Sequence, residues 1–231
     1  MYGKMIYPVK ANSVWRAGPH TFICGDVLDL WKAGALVKVL PLVDAVYTDP
    51  PWNHTQRVLF HRYAEVDPPA ESYNTFLIDT VKLLAAFCPK GRIAIEMSRD
   101  HYAALKVLVS NAVQLGEGLG RFDGRLYGIW FGSFNAWDLS RFDVPTLTGR
   151  AMLSYGLDKL GGQTFFDPFA GQLVFAREAI RKGYTAYGCE LIPAKLSRGL
   201  ANLSMPVECI CEDLFQGQRM DSGAQAVALA V

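Results

Sequence analysis

The chain has 231 residues, 51% of them apolar, enough for one well-packed globular domain and too few for a second large one. Lys and Arg number 23 against 22 Asp and Glu, a net charge of +1, so bulk composition announces no polyanion partner and any nucleic-acid role must come from local placement. No apolar run approaches the roughly 18 residues of a membrane span, and Met1–Lys10 holds no continuous apolar core, so neither a span nor a secretory signal is expected. The five cysteines sit mostly within apolar runs, the pattern of reduced thiols in a cytoplasmic chain. Cys209 and Cys211 lack a second ligand pair, so no metal site is expected.

Along the chain, short apolar runs alternate with helical spacing. Thr21–Cys24 reads as a strand, Val27–Leu40 as helix, and Val43–Thr48 as a strand stopped by Asp49-Pro50-Pro51. Leu77, Val81, Leu84 and Cys88 mark a buried helix face, Arg92–Met97 a strand, and Leu105–Ala112 a helix. Leu115–Phe134 reads as a hairpin about Phe122-Asp123-Gly124. Arg150–Leu160 is helical, and Thr164–Phe166 is a strand. Leu173, Ala176 and Ile180 share a helix face that ends at Gly183. Tyr184–Cys189 is a strand, Pro193 opens a helix bearing Leu196, Leu200 and Leu203, and Val207–Cys211 is a last strand. This alternation predicts an α/β fold with a mostly parallel twisted sheet, an antiparallel hairpin strand and helices on both faces. One domain over 1–216 and a flexible tail over 217–231 are expected.

In such a sheet ligands sit beyond the carboxyl ends of the strands. Four strand ends carry an acid: Gly25-Asp26, Asp49-Pro50-Pro51-Trp52, Asp167-Pro168-Phe169-Ala170-Gly171, and Glu190. The Asp-Pro-Pro-Trp run is the most specific. Two prolines hold the turn rigid and leave carbonyls without neighbouring N–H groups. A carboxylate, a fixed carbonyl and an aromatic face suit a planar ring bearing an exocyclic amino group, with two acceptors for its two N–H donors and Trp52 to stack on it.

These motifs resemble those of the S-adenosylmethionine-dependent amino-methyltransferases of DNA, the adenine-N6 and cytosine-N4 family, and the likeness spans Phe22 to Leu203. Asp49-Pro50-Pro51-Trp52 matches the catalytic signature. Asp167-Pro168-Phe169-Ala170-Gly171, 118 positions later, matches the cofactor signature, an order similar to the family's permuted, beta-type arrangement. The resemblance implies a Rossmann-like methyltransferase fold, S-adenosyl-L-methionine as cofactor and DNA as partner. In it Asp49, Pro50, Pro51 and Trp52 would be catalytic. Glu190 would take the ribose hydroxyls, and Asp26 or Asp213 the cofactor adenine. Asp167, Phe169, Ala170 and Gly171 would shape the turn beside the methionine part, with Pro145 and Thr146 alongside it. Asp at the head of the motif resembles the adenine enzymes, and Trp at its end is shared with RNA adenine relatives, which keeps RNA open.

One position departs: the family's second glycine falls on Leu173, which either points inward as a core residue with the turn rearranged or crowds the cofactor. Residues 53–71 read as a substrate-side loop in which Asn53, His54, Arg57, His61 and Arg62 meet nucleic acid, cations being interleaved with aromatic rings. No large target-recognition insert is present, so specificity is expected to be short or relaxed, or supplied by a second copy or a partner subunit. A catalytically silent subunit of a methyltransferase pair would keep the same fold, and Leu173 is the feature that favours it.

Overall fold

The structure, a computed structural model, describes residues 6–89, 91–122, 125–135 and 140–216. The expected tail and the Asp123-Gly124 turn lie outside them. Among the described residues nine strands form one sheet in the order β5-β6-β4-β3-β7-β8-β2-β1-β9. These are β1 (Val14–Ala17), β2 (His20–Cys24), β3 (Ala45–Thr48), β4 (Arg92–Ser98), β5 (Val113–Phe122), β6 (Arg125–Ser133), β7 (Thr164–Asp167), β8 (Thr185–Glu190) and β9 (Glu208–Cys211). The central five, β4-β3-β7-β8-β2, run parallel. They are short and apolar on both sides, as strands covered on both faces must be. β6 is antiparallel to β4, with Ile95 opposite Trp130, and the expected hairpin is β5–β6.

Helices α1 (Val27–Lys32), α3 (Tyr73–Phe87) and α4 (Arg99–Leu108) bury Leu28, Leu77, Leu83 and Leu105 against one face. Helices α5 (Gly149–Leu160), α6 (Val174–Arg181) and α7 (Pro193–Ala201) bury Met152, Leu157, Phe175 and Leu196 against the other. Among the described residues no helix is long and apolar enough to cross a membrane.

Four elements differ from expectation, the first being the helix expected over Leu105–Ala112, which starts earlier, at Arg99, and ends at Leu108. β1 pairs antiparallel with β2 across the two-residue turn Gly18-Pro19, Ala17 facing His20, where no strand is expected; Gly18 supplies the positive φ of 57°. The helix expected over Val27–Leu40 stops at Lys32, because Gly34 takes a φ of 68°, and only the short 3-10 turn Leu36–Lys38 follows. Within the expected loop, His54–Tyr63 is a helix, α2, because the Asn53 side chain accepts the Gln56 N–H at 2.8 Å and caps its first turn.

The chain leaves β3 toward β4 on one side and β7 toward β8 on the other, so the crevice between β3 and β7 is the switch point of the sheet. Asp49 and Asp167 stand at its two lips.

Candidate active site

A cavity of about 370 Å³ opens at that crevice and brings all four acidic strand ends together, Asp26, Asp49 and Glu190 on its wall and Asp167 behind it. Pro50, Pro51, Trp52, Phe169 and Gly171 also line it, and Ala170 is buried behind the turn.

The catalytic-type turn is fixed from several sides. The Pro51 carbonyl accepts the Tyr73 hydroxyl at 2.7 Å and the Trp52 carbonyl accepts the Ser98 hydroxyl at 3.3 Å. Among the described residues nothing donates to the Pro50 carbonyl. The Trp52 indole N–H donates to an Asp49 carboxylate oxygen, and its ring leans on Tyr127 with centroids 5.6 Å apart. Asp49 is open to the cavity yet ringed by protein, and this desolvation raises its carboxyl to about 6 against the opposing pull of the Trp52 N–H and the Lys195 ammonium. It therefore still ionises below neutral pH, as a stronger base than an ordinary aspartate.

Glu96 on β4 is a buried acid behind Asp49, and its oxygen accepts the Tyr47 hydroxyl. Burial first, then the negative charge of Asp49, pushes Glu96 up to about 8.

On the β7 and β8 side, Asp167 is buried and accepts the Phe169 N–H at 3.1 Å and the Thr48 hydroxyl at 3.2 Å. Burial raises it to about 7. Glu190 accepts the Gly171 N–H at 2.7 Å on one oxygen and the Ile192 N–H at 2.8 Å on the other. Each oxygen keeps a second lone pair for a hydroxyl from the cavity.

Leu173 adopts the left-handed conformation, φ 58°, that costs a branched side chain about 1–2 kcal/mol, and its side chain is fully buried. It points away from the cavity into a notch at Gly199 of α7, where a Cβ would come within 2.6 Å of the Leu173 Cγ. Leu173 is therefore a core residue at the head of α6 and does not line the cavity.

Asp26 lies on the wall, whereas Asp213 does not; the Asp213 carboxylate accepts the Phe215 N–H at 3.0 Å. One Asp26 oxygen caps α1 through the Leu28 N–H at 2.9 Å, and the other meets the His61 imidazole at 3.1 Å.

The substrate-side residues divide. Asn53, His54 and Arg62 are exposed. Arg57 and His61, expected on the surface, are buried, at 2% and 6% exposure, because the helix turns both inward, Arg57 onto Glu71 and the Phe76 ring and His61 onto Asp26. Pro145 and Thr146 are exposed and away from the cavity wall. Their segment is held at the hairpin, where the Phe142 N–H donates to Leu115 and Val144 fills the space over Gly118.

Sequence reasoning missed Tyr73, Glu96 and Lys195. Glu96 carried a signal, a lone acid in the apolar run Ile93–Met97. Lys195 also lay in reach of a reading, two places after Pro193 at a helix start that follows the strand-end Glu190.

No family model and no curated protein matches the chain. Solved structures do. M1.HpyAVI shares 14% identity over 80% of this chain and 98% of its own, with a TM-score of 0.55. TTHA0409 of Thermus thermophilus, assigned as a DNA modification methylase, shares 15% over 78% and 92%, with a TM-score of 0.53. Its complex with S-adenosyl-L-methionine matches with a TM-score of 0.51 at 14% identity. At these identities the likeness is one of fold, and the fold this chain has is the Rossmann-like methyltransferase fold.

Proposed function

We propose that the chain transfers a methyl group from S-adenosyl-L-methionine to the exocyclic amino group of adenine in DNA, with short or relaxed sequence specificity. The observation that carries this reading is the pairing, at one cavity lip, of the Asp49 carboxylate with the Pro50 carbonyl, to which no described residue donates, beside the Trp52 ring. The residues present fit the cofactor. Gly25 and Gly171 let backbone approach it, Glu190 has two lone pairs for vicinal hydroxyls, and the cavity volume is that of a small-molecule site. M1.HpyAVI and TTHA0409 were both solved with the same cofactor, which supports the assignment.

When bound, S-adenosylmethionine supplies an electrophilic methyl on a sulfonium. The chain's part is to make a weak nucleophile competent. The adenine amino nitrogen has its lone pair delocalised into the ring. An N–H to the free Asp49 oxygen and another to the Pro50 carbonyl favour a more tetrahedral nitrogen and free that pair. Asp49 then takes the proton released as nitrogen becomes cationic, and its raised pKa suits that task. Trp52 covers a face of the base, offsetting part of the cost of taking it out of a duplex.

The test is methyl transfer to duplex DNA, single-stranded DNA and RNA in parallel, with mass spectrometry of the nucleosides. N6-methyladenine from DNA is the expected product. N4-methylcytosine would overturn the adenine assignment, methylated RNA alone would overturn DNA, and cofactor binding without any product would mark a silent subunit.

A further inference from the structure

Arg57 stands out among the buried charged groups. One guanidinium nitrogen, Nη2, donates to Glu71, and the guanidinium carbon lies 4.5 Å from the centroid of the Phe76 ring. The side chain is 3% exposed, and neither Nε nor Nη1 has a hydrogen-bond partner among the described residues. Three N–H donors on a buried cation are thus unspent, at the wall shared by the 370 Å³ cavity and a second of about 470 Å³ beneath residues 64–71. Folding rarely leaves such donors unspent, and an entering oxyanion would satisfy them.

Two oxyanions could reach this place under the function proposed above, the carboxylate at the amino-acid end of the cofactor and a phosphate of the nucleic acid. Burial favours the carboxylate. A polyanion approaches over the surface, where Arg62 and His54 are exposed, while Arg57 lies inside α2. Its aromatic neighbour Phe76 packs on Phe169 of the Asp167 turn, with centroids 5.7 Å apart, on the side of the cavity assigned to the methionine part. Of the other cations on the cavity wall, His61 meets Asp26, Lys195 lies over the Phe60 ring within the field of Asp49 and Glu190, and Arg125 is exposed to solvent rather than buried.

We infer that Arg57 is a cofactor-binding residue whose Nε–H and Nη1–H groups receive the carboxylate of S-adenosylmethionine. This rests on the methyltransferase reading. The long side chain has the torsional freedom to turn these donors to the ligand while Nη2 stays with Glu71.

Calorimetry with two ligands tests it: S-adenosylhomocysteine, which has the carboxylate, and 5′-methylthioadenosine, which shares the nucleoside and sulfur but lacks it. Arg57→Met should weaken S-adenosylhomocysteine tenfold or more and leave 5′-methylthioadenosine within twofold. Arg57→Lys keeps a cation, so it should fold even if the methionine variant does not, and should give an intermediate loss for the first ligand only. Equal losses for both ligands, or unchanged S-adenosylhomocysteine binding, would overturn the inference. Unchanged S-adenosylhomocysteine binding with weakened DNA binding would overturn it in favour of phosphate. If the parent protein bound neither ligand, the methyltransferase reading would fall and the inference with it. If the parent bound both and the variants did not discriminate, only the inference would fall.

Discussion

His61 and Asp26, 35 residues apart in the chain, meet with the imidazole Nε2 3.1 Å from a carboxylate oxygen. The His61 Nδ1 lies 2.9 Å from the Arg57 carbonyl, which can only accept, so Nδ1 carries a proton. An ionised Asp26 also only accepts, so Nε2 must carry one too, and the ring is an imidazolium. Burial alone would lower the His61 pKa, but Asp26 and the Arg57 carbonyl raise it above the ordinary value. Burial alone would raise Asp26, but His61 and the backbone N–H groups of Asp29 and Leu28 hold it below the ordinary value. The stability from His61 is complete below its unfolded pKa of about 6.5 and is lost as pH rises through the raised value. That from Asp26 is complete above about 3.9 and is lost as pH falls through the lowered one. The pair should contribute roughly 1–3 kcal/mol between these limits. Denaturant titrations across pH should show the alkaline decline, and His61→Leu should remove it; an unchanged decline would assign it elsewhere.

Desolvation by the surrounding protein raises Asp49 to about 6, and in the proposed mechanism its carboxylate form accepts the amine proton. The rate at saturating substrate should fall about tenfold per pH unit below that value if this group alone controls it. Asp49→Ala should abolish transfer and leave cofactor affinity within a few fold, since the proposed mechanism sets the residue against the target amine. Trp52→Phe keeps a ring but removes the N–H that favours the ionised carboxylate, so the acid limb of the pH–rate profile should move to higher pH. A limb that stays in place would show that the indole N–H does not act on Asp49.

Glu190→Gln replaces a carboxylate that accepts two backbone N–H groups by an amide whose NH₂ must face one of them. Cofactor affinity should drop by roughly 1–3 kcal/mol, because the turn at Gly171 loosens and the charge that would meet the hydroxyls is gone. Unaltered binding in a calorimetric titration would remove Glu190 from the site.

With Arg57 buried, only Arg62 of the two arginines of α2 is exposed for a phosphate. Arg62→Glu should weaken DNA binding and lower its salt slope by about one. The melting temperature should scarcely move. Arg57→Glu should lower it sharply instead, by setting a second carboxylate beside Glu71 in a buried place. Equal salt slopes for parent and Arg62→Glu would move the nucleic-acid surface away from α2.

What could be read from the sequence depended on whether a residue's role was local. The strand-end acids Asp26, Asp49, Asp167 and Glu190 announce themselves because a strand, a turn and an acid are neighbours in the chain, and the sheet then brings their ends together. α2 was obscured because His54–Tyr63 is polar overall, so no apolar stripe marks it, and its cap Asn53 reads equally well as a loop residue. The inward course of Arg57 and His61 depends on Glu71, Phe76 and Asp26, partners 14 to 35 places away that no periodicity reveals. Pro145 and Thr146 stand away from the cavity wall for a reason of the same kind, since the glycines of β5 meet their segment only in space.

Leu173 and Gly199 share one space between the turn and α7. A helix interior gives up about 1 kcal/mol by holding glycine in place of alanine, yet α7 does so where Leu173 arrives. A Cβ at 199 would meet both the Leu173 side chain and the Gln172 backbone, so α7 gives way to the whole turn. A methyl at 199 would push on the leucine and on the strand-end turn that carries it, so the shape of the cavity's floor is set from the far side of the sheet by a missing side chain.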